Sequence, residues 1–398
     1  MSRLLQITIG LGLSIGKIAQ AIGEKVMENG WESWIAYSAR SKSSPPHLKT
    51  VKSKVIKNGS TLDSYIHYAG FRFFDNEGLG SKGATRQLVE RIKEIKPDII
   101  QLHNIHDHWL NYPILFEYLA TLDTPVVWVQ HDCWAFTGGC MYFDMLGCDK
   151  WQTGCKDCPD KRTWVLNQSE RNFKLKRELL SKIKNLTFVP VSDWIGDMLK
   201  ESAQKDRPII TIHNGIDLSR FKPTGKKLND GKFRILGVAA VWNERKGLGD
   251  FVKLRSMLSD DYEITLVGLP QKQIESLPQG IKGLTRTNSI EELAEFYSQS
   301  DVYVLPTYSD NFPTTNLEAL ACGTPVVTYK TGGSPEAIDR KTGVVVEQGN
   351  VVALTNAIRQ MRKNPLSSED CVKRAHELFD KDKCFEAYID LYNKLLNK

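Results

Sequence analysis

Arg245 and Lys246 stand side by side in WNERKG (242–247), between a short apolar run and a segment of helical period. A helix start presents unpaired N–H groups that favour anions, and cations there oppose the helix dipole unless a bound anion offsets them. A solvated surface is the plain alternative. Further on, YSDNFPTTNLEALACGTPVV (308–327) carries two carboxylates, Asp310 and Glu318, separated by seven residues. A helix is predicted to begin at Thr314 or Thr315 and to stop at Gly323. Thr315-x-x-Glu318 has the spacing of a capping box, a device that contributes about 0.5–2 kcal/mol. In the functional reading, Glu318 accepts hydrogen bonds from ribose hydroxyls, while Asp310 and the loop backbone meet a sugar and its diphosphate.

The first half offers a second set. ITIGLGLSIGKIAQAIGEKV (7–26) runs from an apolar strand through Gly10, Gly12 and Gly16 into a helical pattern. The dinucleotide fingerprint is G-x-G-x-x-G with an acid at the end of the second strand. This loop is one residue too long, and the second strand ends Tyr37-Ser38-Ala39-Arg40, leaving Arg40 as a partner for an NADP phosphate. A tight turn is the plain alternative. His131 ends the apolar run PVVWVQ, a site position in a wound sheet, although a hydrogen-bonded core histidine fits too. His103, His106 and His108 with Asp107 have the composition of a hydrolytic metal site.

Five of the eight cysteines fall between Cys133 and Cys158. Cys140, Cys148, Cys155 and Cys158, ending in Cys-x-x-Cys-Pro, suit tetrahedral zinc of a structural kind; unlinked buried thiols are the alternative.

These residues need a scaffold. The chain has 398 residues, 41% hydrophobic and 25% charged, which suits two globular domains and excludes a disordered chain. Arg3, Leu4–Ile15 and Ala19-Gln20-Ala21 loosely imitate a secretory signal, but Gln6, Thr8, Ser14 and Lys17 interrupt it, and a strand–turn–helix start reads better. Apolar runs alternate with helix-period segments: strands at 4–9, 33–37, 99–102, 126–130, 187–191 and 209–212, then a new series at 234–239, 263–267, 302–305, 326–328 and 344–346. Such alternation implies α/β architecture with parallel sheets. HNGIDLSRFKPTGKKLNDGK (213–232) reads as the hinge between two doubly wound domains. The net charge is +6, and residues 1–220 carry 29 Lys+Arg against 24 Asp+Glu. A basic first half suits an anionic membrane or a phosphorylated acceptor. Within it, RNFKLKRELLSKIKN (171–185) sets Phe173, Leu179, Leu180 and Ile183 among six Lys/Arg, as an interfacial helix or an ordinary surface helix would.

Asp310 and Glu318, followed by ACGTPVV (321–327) and GGSPEAI (332–338), with HNGIDLSRF (213–221), resemble the retaining glycosyltransferases of family 4. HNIHDHWLNYP (103–113) and the cysteine-bearing stretch 129–159 resemble a branch engaged in bacterial exopolysaccharide or capsule assembly. The resemblance implies the GT-B fold, two Rossmann-like domains facing across a cleft. Residues 1–212 would form the acceptor-side domain, with a C-terminal helix at 383–398 packing back on it, and 213–382 the nucleotide-sugar domain. It implies His131, Asp310 and Lys246 at the reacting centre. Gly12, Arg245, Lys246, Asn311, Phe312, Pro313, Thr314 and Glu318 would hold the donor, and His103 and His106 would line the acceptor side. Leu284–Ser289 would meet the base. Two positions depart from the family pattern: Asp310 stands where most members have Glu, and Val241 where they have Arg, with Arg245 the substitute.

The implied activity is transfer, with retention, from a nucleotide sugar to a saccharide or lipid-linked saccharide. No cofactor is expected for catalysis, since the only DxD, Asp380-Lys381-Asp382, reads as surface charge. The expected setting is cytoplasmic, with peripheral inner-membrane contact through the basic domain and no nucleic-acid partner. A nucleotide-sugar epimerase or hydrolase, and a catalytically silent sugar-binding partner, remain as alternatives.

Overall fold

Among the described residues, twelve strands form two separate sheets, ten of them at the predicted apolar runs. The computed structural model describes the chain apart from residues 13, 40–49, 161, 226 and 398, so Arg40 lies outside the described residues. The chain divides into two compact units, Met1–Ile212 with Phe385–Lys398, and His213–Cys384.

The first unit contains β1 (Arg3–Thr8), β2 (Glu32–Ser38), β3 (Lys54–Asn58), β4 (Ile99–Leu102), β5 (Val126–Gln130) and β6 (Leu186–Pro190). They pair in parallel in the order β3-β2-β1-β4-β5-β6. Strands β4, β5 and β6 are buried along their whole length, as strands covered on both faces must be. Edge strand β3 carries exposed Lys54 and Lys57, charges that discourage further edge pairing. It has no apolar run of its own, and the sequence reading passes over it. The predicted strand at 209–212 is reduced to a single bridge, Phe188 to Ile209. The helix Ser14–Glu28 buries Ile18, Ala19, Ile22 and Val26 on one face. A Cβ at Gly16 would lie 2.3 Å from the Gly10 carbonyl oxygen, so this glycine lets the helix start press on the loop after β1.

The second unit repeats the winding. Strands β7 (Phe233–Val238), β8 (Tyr262–Val267), β9 (Ile281–Leu284), β10 (Val302–Leu305), β11 (Val326–Tyr329) and β12 (Gly343–Val346) lie in the order β12-β11-β10-β7-β8-β9, all parallel. In sheets of this order ligands bind beyond the C-terminal strand ends, where the strand order reverses. Those places are the loops after β1 and β4 in the first unit and after β7 and β10 in the second.

Between β5 and the helix Ser169–Lys182, the described residues hold three single 3-10 turns, Trp134–Phe136, Phe143–Leu146 and Lys150–Gln152, and no strand. Phe136, Phe143 and Trp151 pack on one another there, with ring centroids 5.0–6.3 Å apart. The helix Ser169–Lys182 decides between the two readings of the basic stretch. Phe173, Leu179, Leu180 and Ile183 are all buried, so this basic helix turns its apolar face to the core and offers none to a bilayer. Lys174 and Lys182 pair with Glu170 and Glu178 one turn away, as on a solvated surface. Among the described residues, no helix is long and apolar enough to cross a membrane.

Candidate active site

In the second unit, the loops after β7 and β10 interlock. Asn243 caps the turn Glu244–Lys246 through its side chain, which accepts the Lys246 N–H. Gly247 follows at φ 71°, and a Cβ there would fall 2.1 Å from the Pro306 carbonyl oxygen; only glycine lets the two loops touch. The Tyr308 N–H donates to the Arg245 carbonyl at 2.7 Å, and the Arg245 guanidinium donates to the Ser309 carbonyl at 2.7 Å. This framing brings the Lys246 ammonium against the Asp310 carboxylate in a largely buried ion pair. A third loop fixes Asp310 from behind. Gly332, at φ 51°, would place a Cβ 2.0 Å from the Asp310 carbonyl oxygen, and the Gly333 N–H donates to that oxygen.

Glu318 lies on the helix Thr314–Ala321 and accepts a hydrogen bond from the Tyr297 hydroxyl at 2.9 Å. The capping-box reading fails, because the N-cap is Pro313 and no side-chain cap bond forms. Phe312 is buried and stacks on His213, centroids 4.9 Å apart, so it is a wall of the loop rather than an exposed platform. Val241 is exposed to solvent. Asp380 accepts the Asp382 N–H at the start of the last helix, Lys381–Leu396, where the DxD serves as a cap.

In the first unit, His103 follows β4 and His131 follows β5. Their rings stack with centroids 5.3 Å apart, and His103 Nδ1 lies 3.0 Å from His131 Nε2, with one proton between them. His103 Nε2 lies 3.0 Å from both Gln6 Oε1 and Gln101 Nε2, and Gln101 Oε1 accepts the Tyr392 hydroxyl. Burial pushes His131 down to about 4 and His103 well below the usual histidine value, so both rings are neutral at neutral pH. His106 is the opposite case. Burial alone would lower it, but Asp132 at 2.8 Å and Asp107 at 3.1 Å raise it well above its ordinary value. His106 is therefore an imidazolium locked between two carboxylates. His103 and His106 are buried, whereas His131 and His108 are partly open to solvent.

The histidine triplet does not assemble a metal site. Among the described residues, the one cluster of ligand atoms it enters is Glu77, His106 and Asp107, whose charges the Arg162 guanidinium and the His106 proton already balance.

The sequence pattern of Glycosyltransferase Family 4 matches residues 18–220, and that of Glycosyl transferases group 1 matches residues 232–364. The chain belongs to glycosyltransferase family 4. A glycosyl transferase of Escherichia coli K12 named for colanic acid biosynthesis, WcaC, is 24% identical over 368 residues, covering 86% of this chain and 87% of the relative. The N,N'-diacetylbacillosaminyl-diphospho-undecaprenol alpha-1,3-N-acetylgalactosaminyltransferase of Campylobacter jejuni is 26% identical over 52% of this chain and 60% of its own. Among solved structures, sucrose-phosphate synthase of Thermosynechococcus elongatus superposes over 100% of both chains with a TM-score of 0.76 at 18% identity. Anabaena Alr3699/HepE in complex with UDP superposes over 99% of this chain and 100% of its own, TM-score 0.67, at 14% identity. These likenesses establish a GT-B glycosyltransferase built from two Rossmann-like units.

Two features of this glycosyltransferase escape sequence reasoning. Asp250 is buried and accepts the hydroxyls of Tyr308 and Tyr329, each at 2.8 Å, which anchors the loop leading to Asp310. The other is a helix, Thr61–Phe74, whose Leu62, Tyr65, Ile66, Phe73 and Phe74 are exposed. Trp164, Val165 and Leu166 extend the patch: the Trp164 N–H donates to the Arg72 carbonyl, and the Trp164 ring meets Phe73 edge-on at 5.1 Å. Leu62, Tyr65, Ile66, Phe73 and Phe74 recur at helical spacing, a legible signal obscured by their outward direction.

Proposed function

We propose that this glycosyltransferase moves a sugar, with retention, from a nucleoside-diphosphate sugar to a lipid-linked saccharide during surface-polysaccharide assembly. The Lys246–Asp310 pair at the point where the second sheet reverses its order carries the reading. A departing diphosphate competes with Asp310 for the Lys246 ammonium, and Arg245 and the uncapped start of the helix Thr314–Ala321 add positive field. Asp310, freed from Lys246, and Glu318 then hold sugar and ribose hydroxyls, with Asn311, Phe312, Pro313 and Thr314 shaping the loop. Leu284–Ser289, beyond β9, faces the base in this reading. In the first unit, the Gly12 loop gives close backbone approach to an anion, and neutral His131 serves the reacting centre. His103 and His106 orient their neighbours from beneath the acceptor surface. The relatives' names support a polysaccharide and a lipid diphosphate carrier as context.

Membrane contact is assigned to the exposed aromatic face of Thr61–Phe74 with Trp164, in place of the basic helix. Aromatic rings beside Arg72 suit the interface of an anionic bilayer.

A thermal-shift screen with UDP-, GDP-, ADP- and TDP-sugars tests the donor, because a ligand that binds only the folded state raises its stability. One base should raise the melting temperature selectively, and acceptor-dependent transfer should follow. Sugar release or inversion with no acceptor product would favour the hydrolase or epimerase. Binding without any turnover would favour the silent partner. In liposome flotation, Phe74→Glu with Trp164→Glu should abolish recovery with anionic vesicles, whereas reversing charges on Ser169–Lys182 should not.

A further inference from the structure

We propose that Cys140, Cys148, Cys155 and Cys158 hold one structural zinc ion that staples the long segment between β5 and the helix Ser169–Lys182. Nothing in the glycosyl transfer described above uses these thiols, and the inference stands apart from that reading. All four line a single cavity of about 20 Å³, together with Lys150, Lys156 and Trp151. A space of roughly 10–15 Å³ or more admits one water-sized guest, so the cavity has the size of a single ion and not of an organic ligand.

Backbone N–H groups reach three of the four sulfurs. Cys155 Sγ accepts the Gly138 N–H at 3.1 Å, and the backbone at Tyr142 and Asp160 bonds the sulfurs of Cys140 and Cys158, in each case from two residues further on. Such second-shell donors orient ligands and spread their charge. Gly138 has no room for a side chain, since a Cβ would lie 2.8 Å from the Cys155 Cβ and 2.5 Å from the Ser169 carbonyl oxygen. The chain is thus pinched directly onto the cysteine.

Basic side chains stand nearby. Four thiolates and Zn²⁺ leave a net charge of about −2. The buried Lys176 amine, which burial holds down to about 7, donates to the carbonyls of Trp134 and Thr137, and Arg162, already paired with Asp75 and Glu77, donates to the carbonyls of Gly138 and Gly139 beside Cys140. Lys150 and Lys156 add to this at the cavity wall.

The segment also needs a staple. Among the described residues it has three single helical turns and no strand, and its aromatic cluster is small. Long irregular segments of this size hold a fixed shape when a cross-link or metal substitutes for a larger core. All four thiols are free, and no three of their sulfurs lie within 4.8 Å of one another among the described residues. Binding would therefore draw them inward by side-chain rotation. Each thiol gives its proton to solvent as a sulfur–zinc bond forms, with no change in oxidation state.

Elemental analysis of the full-length protein, purified without chelator, tests the site. About one zinc per chain is expected, lost on unfolding with a chelator present. Cys140→Ser and Cys155→Ser should each retain less than about half of it. Should those variants fail to fold, cobalt exchanged into the wild-type protein should show thiolate-to-metal charge-transfer absorption. Zinc below about a tenth of an equivalent from supplemented cells, or two disulfides by non-reducing mass analysis, overturns the proposal.

Discussion

The two units share one winding order but position their candidate residues by different means. In the second unit, backbone does the placing. Gly247 rests on Pro306, Gly332 rests on Asp310, and the Tyr308 N–H bonds the Arg245 carbonyl. Lys246 and Asp310 meet because three loops leave them no other path. The first unit relies on side chains contributed from distant parts of the chain. His103 is held by Gln6, 97 residues away, and Gln101 by Tyr392, 291 residues away. Local turns make the second site stiff and legible, while the first site depends on a completed fold and on which protons its histidines carry.

The sharpest test of that contrast is Lys246→Ala. A preorganised cation of this kind is worth about 3–4 kcal/mol in a transition state, so turnover of the folded variant should fall at least about a hundredfold, with some loss of melting temperature because Asp310 loses its largely buried counter-charge. Near-normal kinetics in the folded variant would remove the second unit's pair from the chemistry.

Acid should weaken the first unit next. Burial pushes His67 down to about 4, and its Nε2 accepts the Gly80 N–H at 3.0 Å, a bond that protonation would break. An unfolded histidine titrates near 6.5, so the unfolded state takes up the proton first as pH falls. The stability tied to neutral His67 is complete above about pH 6.5 and is lost as pH falls toward about 4, at up to about 1.4 kcal/mol per pH unit. His131 follows the same sign. His106, raised by its two carboxylates, runs the other way: its contribution is complete below about pH 6.5 and fades as pH rises through its elevated value. Urea melts at pH 7, 6 and 5 should show this slope, and a flat profile would mean the histidines are hydrated.

Gly332→Ala should have the smallest effect. Strain at a positive φ costs about 1–3 kcal/mol, and displacement of the Asp310 backbone should lower turnover more than stability. Equal losses in both would show that the loop is only structural.

Legibility followed the same division for the site loops, although strand β9 of the second unit was passed over as β3 of the first was. Gly247, Pro306, Pro313 and the Gly332–Gly333 pair punctuate the sequence, so the loops bearing Lys246, Asp310 and Glu318 could be drawn in advance. The capping box at Thr315 misled because the N-cap is Pro313, two residues sooner. In the first unit, strand β3 and the helix Thr61–Phe74 were missed: one carries its lysines on an exposed edge, and the other turns aromatic rings outward against the usual pattern. The basic helix left two readings open, because four apolar residues among six cations look the same whether they face a core or a lipid, and the structure settles on the core. Nothing in a linear pattern announces that His106 will sit between Asp107 and Asp132.

The last helix ends by mending a unit that the polypeptide had left long before. Because Phe385–Lys398 belongs with Met1–Ile212, the chain passes between the units twice, at 212/213 and again at 384/385. A single nick in either crossing would free neither half. A fragment ending at Ile212 would lack Tyr392, the donor to Gln101 beneath His103, and would need that tail supplied in trans to recover its native proton chain.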